Sequence, residues 1–233
     1  MLGPVDYALW IAGFVFEAAA VVSIFYRGAF ARYFSISLYM TCTFLVQGAQ
    51  YLCFLKFGVR SPQYFYLYYY SDSLLTILLF FVVMHLYMHV FSGTDTNRHI
   101  RAGAALLLLL TAALSYIVVR QHKSHLTEHF VVEMGEDLYF IGTVLTYILW
   151  GAMIKLRERS ARVVQLVLAL GIYYSATAGA YALRDLFPAW QRTALAWVPP
   201  AASVWLSLAW TLAFLRTREE ALVMIPTLAA KAR

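Results

Sequence analysis

Two carboxyl side chains lie where a carboxylate is costly. Glu17 and Asp72 each fall inside a long apolar run, and no Lys or Arg lies within any such run to neutralise them. A charge at bilayer depth costs several kcal/mol, so groups of this kind face a bundle interior and pair, titrate or bind. His85, thirteen residues beyond Asp72, would be roughly 20 Å away along a helix and cannot be its partner. That leaves a protonated carboxyl, hydrogen bonds from neutral groups, a water-filled cavity or a bound cation.

Neutral polar residues stand at comparable depth. Counted from one side of the apolar layer, Glu17 is about ten residues in and Asp72 four to eight. Gln47 and Gln50, one helical turn apart, are about eight and five residues in. Tyr173, Tyr174, Ser175 and Thr177 are at similar or slightly greater depth. This predicts a polar cavity in one half of a helix bundle, with Glu17, Gln47, Gln50, Asp72, Tyr173, Tyr174 and Thr177 as ligand-binding candidates. The plainer alternative is interhelical hydrogen bonding, with the small residues Ala18–Ala20 allowing close contact.

The histidines form two groups. His85 and His89 are spaced i, i+4 on one helix face, as a metal or an axial ligand pair would require. No second apolar run offers a partner, because His99, His122, His125 and His129 lie between runs; this argues against haem clamped between helices. Hydrogen bonding to backbone or headgroups is the simpler role, and a metal site with His99 the other. Within 120–137, His122, His125, His129, Glu133 and Glu136 follow steps of 3, 4, 4 and 3. On a helix they fall within about 60° of one another. His122, His125, His129 and Glu133 are therefore metal candidates, suited to zinc or copper, or to sensing external pH near neutrality. A solvated loop that is merely His-rich is the competing account.

No nucleophile–base pair and no complete metal set falls within the apolar runs, so binding is expected ahead of catalysis. No run contains a lysine, which excludes a retinal Schiff base; no other cofactor is required. The cluster Tyr64, Phe65, Tyr66, Tyr68, Tyr69, Tyr70 and the tryptophans Trp197, Trp205 and Trp210 read as interface anchors and packing, or alternatively as the lining of a ligand pocket.

These residues must be positioned by membrane helices. The chain of 233 residues is 62% hydrophobic and only 13% charged, with a mean hydropathy of +0.68; a soluble domain is about a quarter charged. Seven spans are predicted: 7–26, 34–55, 64–91, 102–119, 138–154, 163–183 and 194–215, with a short tail at 216–233. The third, extended to Gln63–Phe91, would run roughly 43 Å, more than the roughly 30 Å of hydrocarbon requires. The fifth could begin earlier, near Phe130. Pro199 and Pro200 fall about a third of the way into the seventh, where a kink is expected. Cys42 and Cys53 share one span roughly 16 Å apart, too far for a disulfide.

The net charge of +6 resides in the short connections, which fits anionic headgroups rather than nucleic acid. With seven spans, one side carries twelve Lys and Arg and the other six. The positive-inside rule then puts the N-terminus outside and the C-terminus in the cytoplasm. The expectation is an all-α, multi-pass protein of the cell (inner or plasma) membrane, in contact with the lipid bilayer. Its leading role is a receptor or sensor with an outward-facing polar site; a solute, ion or proton carrier using the buried carboxyls is the alternative, and a metal- or cofactor-binding protein comes third.

The run Tyr64-Phe65-Tyr66-Leu67-Tyr68 with Ser71-Asp72 heads the third span. Arg159-Ser160-Ala161-Arg162-Val163-Val164-Gln165 leads into the sixth. In these motifs the chain resembles a group of uncharacterised bacterial seven-helix membrane proteins, over about spans two to six. The layout is also similar to the membrane-embedded sensor halves of bacterial signalling proteins. That resemblance implies a sensor-like role, and the short tail implies that a signal leaves through a cytoplasmic or membrane partner protein.

Overall fold

The computed structural model describes residues 4–58, 61–91, 102–103, 106–107, 109–113, 116, 126–156, 160–186 and 194–216. For residues 4, 126–133, 156, 185 and 194 it describes the backbone alone. The described residues contain no strand. They form α1 (Pro4–Tyr26), α2 (Phe34–Phe57), α3 (Pro62–Val90), α4 (Leu126–Leu156), α5 (Ala161–Leu186) and α6 (Val198–Arg216), the last preceded by a 3-10 turn (Ala194–Trp197). All six α-helices are long and apolar enough to cross a membrane. Of the predicted span at 102–119 the structure describes 102–103, 106–107, 109–113 and 116, all helical, and the tail beyond Arg216 lies outside the described residues.

Local chemistry sets the boundaries. Ser61 caps α3, its hydroxyl accepting from the Tyr64 amide at 3.2 Å, and Pro62 occupies the first turn, where no amide donor is needed. Gly58 ends α2 at a φ of 78° that a side chain would oppose, its amide donating to Phe54 O at 2.9 Å. Two expectations are corrected. The helix that carries the fifth predicted span starts at Leu126, beyond the apolar window Met134–Lys155, because it continues through Leu-, Glu- and Met-containing sequence. His129 and Glu133 therefore lie on a helix, not in a loop. Pro199 and Pro200 produce no kink within a helix. α6 begins at Val198, so both prolines sit in its first turn, where their missing amides break no hydrogen bond.

The helices close into a ring in which each packs against its sequence neighbours and α6 packs against α1. Side-chain bonds give the directions. The Trp197 indole N–H donates to Asp6 Oδ1 at 3.0 Å at one end, and Arg27 donates to Leu215 O at 2.6 Å at the other. α1 and α6 thus run parallel. α2 opposes α1, and α3 opposes α2. α3 and α4 are parallel, because Thr76 meets Tyr139 while Tyr87 farther along meets Leu145. α5 returns against α4, as the pairing of Glu136 with Arg184 requires.

The surface is built for lipid. Ile11, Val15, Val22 and Phe25 of α1 and Leu45, Leu52 and Leu55 of α2 are more than half exposed, an arrangement that hydrocarbon accepts and water does not. The interior is continuous, with Ile36, Leu79, Phe80, Leu86, Leu138, Leu149, Leu166, Trp210 and Phe214 all sealed. In the segment preceding α4, the described Leu107 and Ala112 pack against this core.

Candidate functional site

A cavity of about 520 Å³ opens inside the ring at the Asp6 end, with every helix contributing to its wall. Asp6 and Trp197, the latter 45% exposed, stand at the mouth. The cavity descends to Tyr39 and Leu79. Beyond them the bundle is filled. Trp210 packs edge-on against Tyr39 at 5.9 Å and donates its indole N–H to Leu166 O at 3.2 Å. Tyr33 and Phe214 meet edge-on at 5.6 Å beneath. The site is open at one end and closed at the other.

Helical periodicity on α3 builds one wall. Tyr64, Tyr68, Asp72, Thr76 and Leu79 recur at four- and three-residue steps on one face and all line the cavity. Phe65, Tyr66 and Tyr70, rotated away, are exposed on the outside. Asp72 lies in the third turn, and its carboxylate makes no hydrogen bond with a described residue. Around it hydroxyls form a chain. Thr76 Oγ1 donates to Asp72 O at 2.9 Å and lies 3.2 Å from Tyr139 OH, which is 3.4 Å from Tyr173 OH.

The predicted candidates divide. Gln47, Gln50, Asp72 and Tyr173 line the cavity together. Gln50 donates to Ser71 Oγ at 3.1 Å, which steadies the turn that carries Asp72. Glu17 is 0% exposed and lies behind this wall, accepting from Gln47 Nε2 at 2.7 Å. Gly13 lies beside this bond, where an added Cβ would stand in ordinary contact, 3.4 Å from the Gln47 amide nitrogen. Tyr174 and Thr177 are buried outside the cavity lining, each with an unpartnered hydroxyl among the described residues. Tyr174 fills the space over Gly142, where a Cβ would come within 2.3 Å of its ring. Ser175 points elsewhere, donating to Gly171 O at 2.7 Å.

Of the metal candidates, His122 and His125 lie outside the described residues, and His129 and Glu133 are described in backbone only. Glu136, at the end of that series, pairs with Arg184. No group of three potential metal ligands occurs among the described residues. His89 packs near Tyr33, with ring centres 5.9 Å apart.

Composition-led reasoning missed Trp10, Tyr39, Tyr139 and Tyr181 in the wall. Tyr139 and Tyr181 meet as ring contact between adjacent helices, at 5.6 Å, which the sequence does not reveal. Among the described residues the lining contains two carboxylates, two glutamines, eight Trp and Tyr side chains and no Lys, Arg, His or Cys. Such a wall can bind and orient a small molecule; it offers no nucleophile–base pair. No family model, curated protein or solved structure matches this chain.

Proposed function

We propose that this polytopic membrane protein is a small-ligand receptor or sensor whose binding site opens outward. The observation that carries this reading is the cavity itself, walled by all six helices and closed beneath Tyr39. Its volume falls in the roughly 300–1,000 Å³ range of small-molecule sites. Arg27, Arg32, Lys155, Arg162 and Arg216 gather at the closed end, against Lys56 and Arg184 at the open end. That asymmetry supports a cytoplasmic closed end and an external mouth in a cell membrane. The parallel pairing of α3 and α4 supports a seventh crossing by 102–119, since the chain leaves α3 at the closed end and enters α4 at the open end. Seven crossings would place the N-terminus outside and the C-terminal tail inside, where a partner protein could read a change in the bundle.

A carrier is the second reading, favoured by the Glu17 carboxyl sealed between the cavity wall and the core. Proteoliposomes separate the two. A receptor gives ligand-dependent change in tryptophan fluorescence with no ligand flux across sealed vesicles. Flux that saturates with ligand would establish a carrier instead.

A further inference from the structure

From the wall chemistry we infer that the ligand presents an organic ammonium group, held by the Asp72 carboxylate among the tyrosines of α3, α4 and α5. The inference rests on the cavity being a ligand site and specifies its chemistry. Asp72 is a carboxylate-bearing side chain inside a membrane bundle, facing a cavity with no hydrogen bond from a described residue. Intramembrane acids of this kind require a counter-charge or a polar partner. The described lining supplies no cation. Arg184, one turn beyond the lining residue Tyr181 on the same helix, pairs with Glu136 and lies over the Tyr181 ring at 4.9 Å, outside the described lining.

Three alternatives fit less well. An anion would meet two carboxylates and, among the described lining residues, no basic side chain. Helix N-termini at the mouth do not reverse this, because their field fades within the first turn and Asp72 is in the third. A divalent metal wants six or more oxygens or a set of nitrogen and sulfur ligands, and one deep carboxylate among aromatic rings offers neither. A neutral molecule would leave Asp72 without an ionic partner. An ammonium satisfies both features of the wall: its charge meets the carboxylate, and its polarised methylene or methyl groups meet the faces of Tyr and Trp rings, which attract cations. Tyr64, Tyr68, Tyr139, Tyr173 and Tyr181 supply those rings around Asp72, and Trp10 and Trp197 supply them toward the mouth.

The ammonium could belong to a soluble amine or to a lipid headgroup. The test uses the full chain in nanodiscs of phosphatidylglycerol, which carries no ammonium, with calorimetry and melting temperature as readouts. Matched probes are 2-phenylethylammonium, benzyltrimethylammonium, neutral 2-phenylethanol and anionic 3-phenylpropanoate. The expected result is binding by the two cations, at least about tenfold tighter than by the neutral or anionic probe. Asp72→Asn should remove that preference, and Asp72→Glu should retain it. If Asp72→Asn does not fold, the charge series on the unaltered protein and on Asp72→Glu still decides. Added phosphatidylethanolamine that competes with the cations identifies a headgroup source; absence of competition identifies a soluble amine. Equal binding of neutral and cationic probes, or preferred binding of the anion, would overturn the ammonium assignment and leave the cavity a ligand site. No binding by any probe would overturn both readings.

Discussion

The Tyr87 hydroxyl donates to the main-chain carbonyl of Leu145 at 2.6 Å, joining two helices that run in the same direction. Helices adjacent in an up-and-down bundle are antiparallel when a short loop joins them, so this parallel pair requires a return between Phe91 and Leu126. Accessibility tags inserted at 95 and at 123 should therefore report opposite sides of the membrane, and a tag after Arg233 the same side as that at 95. Two inserted tags on one side would refute seven crossings.

Glu17 is sealed behind the cavity wall and bound to Gln47, which lines the cavity, so the carboxyl is costly to keep there without its donor. Gln47→Leu should destabilise the protein by about 1–3 kcal/mol, because it leaves the Glu17 carboxyl without its donor. Glu17→Gln, which preserves an acceptor, should cost less than half as much. Reversible unfolding in mixed micelles measures both. Equal and negligible losses would show that the bond contributes nothing.

The contact between Gly142 and Tyr174 makes a steric prediction. Gly142→Ala forces a methyl group into the ring and should cost about 1–3 kcal/mol, whereas Gly151→Ala, with nothing within 4 Å of its added methyl, should stay within about 0.5 kcal/mol of the parent. Adding Tyr174→Leu to Gly142→Ala should recover part of the loss. A melting temperature unchanged by Gly142→Ala would mean that the ring moves aside freely.

Pro199 and Pro200 occupy the first turn of α6, where an amide has no helical acceptor to lose. Pro199→Ala should therefore change stability by less than about 1 kcal/mol, well short of the roughly 3 kcal/mol tied to a proline in a helix interior. A large destabilisation would place the helix start upstream of Val198.

Much of the cavity wall was legible where one helix carries its own pattern. The steps from Tyr64 through Tyr68 and Asp72 to Thr76 define a single face, and Gln47 and Gln50 follow from one turn of α2. Depth along a helix, however, gives height without direction. Tyr173 and Tyr174 are neighbours in sequence and about 100° apart around the axis, so only Tyr173 reaches the cavity while Tyr174 turns to Gly142. Thr177, three residues on, shares the face of Tyr174. Glu17 has the right height but lies behind the wall, bound to Gln47. The apolar count also misplaced the start of α4, since a helix satisfies its own backbone and can outrun the hydrocarbon.

Closure of the ring by α1 against α6 has a consequence for biogenesis. The bonds that join these two helices span 188 to 195 residues of chain, yet the helices meet at both ends and midway, where Thr211 Oγ1 lies 3.4 Å from Phe16 O. During synthesis the earlier helices enter the bilayer as an open arc, with α1 and α5 as its two free edges. The cavity does not exist until α6 has been released laterally into the gap and completes the circle. A ribosome stalled before Val198 would leave Asp72 in an unclosed cleft, a state that membrane quality control could recognise.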